Sequence, residues 1–102
     1  MPVVDICLKN SSSNSLDWVK LEWHAGRQIS AGILAPGIWK ANLAEEWPNE
    51  STATISFVDA KTRTPYSLEV SLSAVNDQMR TGQCHQVTVR IWDYDRADAI
   101  CE

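Results

Sequence analysis

A chain of 102 residues with nine basic and thirteen acidic side chains carries a formal net charge of -4 and has a sequence pI of about 5.0. That length supports one domain, residues 1–102, with a single core hiding roughly 60–65% of the surface its unfolded form exposes. The acidic balance repels phosphate backbones and no basic run offsets it, which argues against nucleic acid as a partner.

No stretch approaches ~18 apolar residues, and Met1 to Asp5 has neither the basic flank nor the long apolar run of a leader, so the expected location is the cytoplasm. The cysteines agree with that location. Cys7, Cys84 and Cys101 are odd in number, widely spaced and lack a C-x-x-C, so no disulfide framework is expected. Cys7, on an apolar strand, reads as a small core residue.

Val3 to Lys9 alternates Val4, Ile6 and Leu8 with Val3, Asp5 and Cys7, the period-two pattern of a strand with one buried face. Asn10 to Ser15 is a polar breaker. Leu16 to His24 reads as a second strand, with Val19, Leu21 and Trp23 on one side and Trp18, Lys20, Glu22 and His24 on the other. Gly26-Arg27 turns the chain into a third strand, Gln28 to Leu34. Ala35-Pro36-Gly37 is a tight turn, because proline sets φ and glycine tolerates positive φ. Ile38 to Leu43 follows, its Trp39, Ala41 and Leu43 sharing one side that is expected to be core. Ala44 to Glu50 is an acidic loop holding Trp47 and Pro48.

Residues 53–72 give the clearest pattern in the chain. Ala53, Ile55 and Phe57 alternate with polar residues, as do Tyr66, Leu68, Val70 and Leu72. The polar link between them makes a β-hairpin the simplest join. Ser73 to Cys84 is a longer connection with room for one helical turn. Gln86 to Tyr94 is the last strand, with Val87, Val89 and Ile91 inward and Thr88, Arg90, Trp92 and Tyr94 outward. The tail from Asp95 reads as a short acidic end. About seven strands at ten- to twelve-residue spacing, with little helix, predict an all-β antiparallel sandwich.

No motif of catalysis is present: there is no G-x-S-x-G, no phosphate loop and no H-E-x-x-H, and a non-enzyme without cofactor is expected. Cys84 and His85 are adjacent, so on a strand they point to opposite faces and make a poor shared site for zinc or for a thiol nucleophile. Asp93, Asp95 and Asp98 open like a calcium loop but lack the glycine at the sixth position and the glutamate at the twelfth. They read as a solvated acidic strand end rather than a metal site.

Five tryptophans are the strongest clue. Trp23 and Trp39 share faces with aliphatic residues and are expected in the core. Trp47 lies among acidic residues, and two readings compete: an exposed anchor for a partner, or a cap over one open end of the sandwich. Trp18, Trp92 and Tyr94 fall on outward faces and suggest an aromatic patch or packing beneath a loop. The expected partner surface joins Glu45, Glu46, Trp47 and Glu50 to Trp92, Asp93, Tyr94 and Asp95, with the carboxylates steering a basic protein and Trp47 anchoring it.

The strand ending in Lys9-Asn10-Ser11, followed by L-D-W-V-K-L-E-W-H, G-I-L-A-P-G and W-P-N-E-S-T-A-T-I-S-F-V-D-A, resembles small bacterial β-sandwich immunity proteins encoded beside type VI secretion toxins. That resemblance implies a non-catalytic inhibitor that covers a toxin's active site. The Asn10-Ser11 turn and the tryptophan-bearing strand after it also look like aegerolysins and actinoporin-like proteins, which implies membrane-lipid binding. A homo-oligomerising subunit that pairs through an edge strand is the third alternative.

Overall fold

The computed structural model describes residues 3–102; Met1 and Pro2, part of the N-terminal stretch considered above, lie outside the described residues. Eight strands and one helix follow in the order β1 (Val3–Asn10), β2 (Leu16–Glu22), β3 (Gln28–Leu34), β4 (Trp39–Glu46), β5 (Thr52–Asp59), β6 (Pro65–Ser71), α1 (Ser73–Arg80), β7 (Gln86–Asp93) and β8 (Arg96–Cys101). They form two four-stranded sheets, β4-β1-β7-β8 and β3-β2-β5-β6, packed as the expected sandwich. Every pairing is antiparallel except β1 with β7, which run parallel.

The alternation predicts the core where strands are central. Val4, Ile6 and Leu8 of β1 and Val87, Val89 and Ile91 of β7 face Val19 and Leu21 of β2 and Ala53, Ile55 and Phe57 of β5, all buried. Each fully buried aliphatic side chain contributes roughly 1.5–3 kcal/mol relative to leaving it in water. Cys7 is also buried, as expected.

Two elements differ from expectation. Residues 73–80 form an eight-residue helix, which turns Val75 into the core. The tail is not an acidic end but β8, paired along β7 from Asp93↔Arg96 to Val87↔Cys101. This pairing overturns the cysteine reading. β8 returns Cys101 beside the start of β7, and Cys84 lies just before it, so the two form a disulfide across a Cα separation of 5.4 Å. The odd count holds because Cys7 remains free.

Asn10 fastens the first crossover between sheets. Its buried side chain donates Nδ2 hydrogens to the carbonyls of Asn14 (2.6 Å) and Leu34 (2.8 Å) and accepts at Oδ1 from the backbone N–H and hydroxyl of Ser12 (3.0 and 2.7 Å). The polar run after β1 is thus an ordered turn built on one amide.

Candidate functional site

The expected partner surface does not come together. Glu46 pairs with Val3 at the start of β1, whereas Ile91, next to Trp92, pairs with Asn10 at its end. Seven strand steps, roughly 23 Å, separate the two groups. Glu45, Glu46, Trp47 and Glu50 lie at one end of the sandwich, and Trp92, Asp93, Tyr94 and Asp95 at the other.

Most of these side chains are also engaged within the fold. Trp47 is 2% exposed, correcting its reading as an exposed anchor in favour of the end cap. The chain leaves β4 at Glu46 and folds the indole over the open end, where it packs edge to face on Trp23 and donates Nε1–H to Asn76 Oδ1 of α1 at 2.7 Å. Asn76 in turn donates to the Glu50 carbonyl at 2.8 Å. The Glu45 carboxylate pairs with Arg27, and that of Glu50 accepts from the backbone N–H groups of His24 (3.1 Å) and Ala25 (3.4 Å). Glu46, Asp93 and Asp95 remain exposed.

At the far end, Trp92 is half-buried, with the Arg90 and Arg96 guanidinium carbons 4.9 and 5.7 Å from its ring centroid. Arg90 makes a two-pronged pair with Asp98, both bonds 2.8 Å, and this holds the Asp98 carboxyl below its ordinary range. Tyr94 stacks on Tyr66 at a centroid distance of 4.3 Å and donates its hydroxyl to Asp59, so its phenol is pushed up to about 12. Asp98 thus has a charged partner of its own, while exposed Asp93 accepts at Oδ1 only from the Tyr94 backbone N–H at 2.7 Å. No group of three potential ligands that could hold a metal exists among the described residues.

The cysteines and histidines do not form a nucleophile–base pair. Burial pushes the Cys7 thiol up, which keeps it protonated and a poor nucleophile. His24 and His85 are exposed. Cys84 is held in the disulfide.

Four of the six large apolar side chains exposed among the described residues lie elsewhere. Ile33, Ile38, Trp39 and Leu43 are all exposed, and all belong to β3, β4 and the turn between them. β3 and β4 are edge strands of the two sheets, and the Ala35–Ile38 turn carries the chain from one edge to the other. Trp39 was expected in the core, and the register explains the correction. Leu8 pairs with Lys40 and Ile6 with Asn42, so those two polar residues share the inward side of β4 while Trp39 and Ala41 take the outer side. The alternation along β4 is as read; the face is reversed. A bulge opposite Asp5 then sets Ala44 at φ 54°, its N–H bonded to the Asp5 carboxylate at 2.9 Å. Only pairing to β1 reveals this reversal, since an apolar alternation looks the same whichever side is covered.

No protein-family model matches this chain, and no curated protein matches it. Among solved structures it is similar to a protein from Eubacterium rectale determined by NMR, with a TM-score of 0.53 and 8% identity over 97% of this chain and 87% of that one. At that identity the likeness concerns the fold alone. Neither resemblance drawn from the sequence gains support from these comparisons.

Proposed function

We propose that this chain is a non-catalytic protein-binding domain that meets its partner through the β3–β4 flank. The observation that carries this reading is four large apolar side chains within positions 33–43, Ile33, Ile38, Trp39 and Leu43, exposed by 69, 52, 58 and 70%. Clustered exposed apolar groups mark interaction sites, and an indole among them is a typical anchor. Lys40 on the inward side of an edge strand disfavours addition of a further strand, so side chains rather than main chain make the contact. Glu46 stands exposed at the end of β4, where it can steer a basic partner.

The inhibitor role implied by the immunity-protein resemblance is the narrower form of this proposal, with the same flank as the covering surface. The Cys84–Cys101 disulfide favours an oxidising compartment over the cytoplasm as the place of work. Among the described residues no helix is long and apolar enough to cross a membrane.

The test is a tagged pull-down from the native organism, comparing wild type with the Trp39→Ser/Leu43→Ser double variant. One stoichiometric protein, retained by wild type and lost by the variant, is expected. Both substitutions remove exposed side chains, so stability stays within about 0.5–1 kcal/mol of wild type. Recovery of the bait alone sinks the proposal; sedimentation velocity and liposome co-sedimentation then distinguish a second copy from lipid.

A further inference from the structure

Trp18 sits in β2, a central strand flanked by β3 and β5, yet its backbone has φ 53° and its indole is 67% exposed. The left-handed region is unfavourable for a bulky side chain. The pairing slips on both sides of it, between Leu16 and Val19 against β3 and between Asp17 and Lys20 against β5. A bulge in a central strand interrupts two ladders instead of one. Asp17 partly offsets this, its Oδ1 accepting from the Trp18 N–H at 2.7 Å. Core packing does not explain the arrangement, because the indole lies outside the core.

What the bulge achieves is to raise that indole beside a cleft of about 440 Å³ on the outer face of the sheet. Register lays a row of short hydroxyl side chains across the floor. Lys20 stands opposite Ser30 on one side and Ser56 on the other, and all three line the cleft. Gly32 adds bare backbone at φ 67°, with open space where a Cβ would point. Trp18, Val58 and Pro65 supply the apolar side. Lys20 is the one charged residue lining the cleft, and its ammonium has no ion pair among the described residues.

A ligand matching these groups offers a flat apolar face to the indole, hydroxyls to the serines and one negative charge to the ammonium. A pyranose bearing a carboxylate has all three. Its C–H face stacks on the indole, its hydroxyls exchange hydrogen bonds with Ser30 and Ser56, and its carboxylate accepts from Lys20. A phosphate fits less well, since it has no flat apolar face to lay on the indole. Four strands spaced ~4.8 Å apart make a face roughly 14 Å wide, about three sugar rings across.

We propose that the outer face of the β3-β2-β5-β6 sheet binds a uronic-acid oligosaccharide, with Trp18 as the stacking platform and Lys20 as the partner of a carboxylate. This cleft takes Ser30 and Gly32 from β3 but none of Ile33, Ile38, Trp39 and Leu43, so the Trp18 and Trp39/Leu43 variants test the two proposals separately.

Calorimetric titration of the intact protein with trimers of galacturonate, mannuronate and guluronate tests it, with cellotriose as the neutral trimer. Saturable binding of at least one uronate trimer is expected, about tenfold or more tighter than cellotriose. Trp18→Gly weakens that binding by about tenfold or more, as loss of an aromatic anchor does. The same variant melts at or above the wild-type temperature, because glycine occupies φ 53° without strain. Lys20→Gln lowers the uronate affinity to that of cellotriose. Failure of all three uronates to bind, equal affinity for cellotriose, or binding untouched by Trp18→Gly overturns the proposal.

Discussion

The indoles of Trp23 and Trp47 meet edge to face, their centroids 5.5 Å apart and their planes at 86°. One follows β2 and the other follows β4, so the contact links strands of different sheets at the open end of the sandwich. Edge-to-face geometry sets the positive rim of one ring against the negative face of the other. Trp47→Ala deletes a fully buried indole and takes from Asn76 Oδ1 its donor. A loss of about 3–5 kcal/mol is expected, read as a lowered denaturation midpoint at unchanged slope. A loss below about 1 kcal/mol, the ordinary surface value, would show that the indole is not buried in solution.

Tyr94 and Asp59 tie the β7–β8 turn to the end of β5, and their titrations give that tie a pH window. The Tyr94 hydroxyl holds the Asp59 carboxyl below its ordinary 3.8, and the phenol rises from 10.0 to about 12. A depressed carboxyl contributes stability above its ordinary value and loses it as pH falls through the folded one. A raised phenol contributes below 10.0 and loses it as pH climbs towards 12. The melting-temperature difference between wild type and Tyr94→Phe is therefore flat through neutral pH and shrinks at both extremes. A difference that does not vary with pH contradicts the bond.

Asn10 makes four side-chain hydrogen bonds at the first crossover. Asn10→Ala leaves the Leu34 carbonyl without this donor and is expected to cost about 1–3 kcal/mol. Asn10→Asp is the sharper test. It keeps the acceptor for Ser12 but turns a donor into an anion facing the Leu34 and Asn14 carbonyls. Equilibrium unfolding should rank it at or below the alanine variant; an aspartate variant as stable as wild type refutes the assigned amide orientation.

The disulfide joins residues 17 apart in sequence. Cys84→Ser/Cys101→Ser is expected to lose about 2–4 kcal/mol, chiefly by freeing the unfolded chain. Thiol counting checks the pairing directly. One reactive thiol, that of Cys7, appears on denaturation without reductant, and all three cysteines react after reduction. Three thiols in oxidised, denatured protein contradict the bridge.

Central strands were legible because burial on one face imposes period two: β1, β2, β5 and β7 carry their core residues where the alternation places them. β8 was not. Arg96-Ala97-Asp98-Ala99 has small and charged residues, and it is a strand because β7 offers a ladder, not because of its own pattern. The disulfide was lost with it, since cysteine spacing has no meaning until the hairpin brings positions 84 and 101 together.

The site divides the same way. Composition and alternation establish an all-β sandwich with more tryptophan than one core needs. Which indoles are free was decided only by tertiary structure. Trp39 leaves the core expected for it and Trp47 takes the end-cap reading of its two, because a strand at a sheet edge can expose its apolar side, while a loop can close an open end. Local sequence sets the order of side chains along a strand; which face is covered depends on the sheet packed against it, and that is a relation between distant residues.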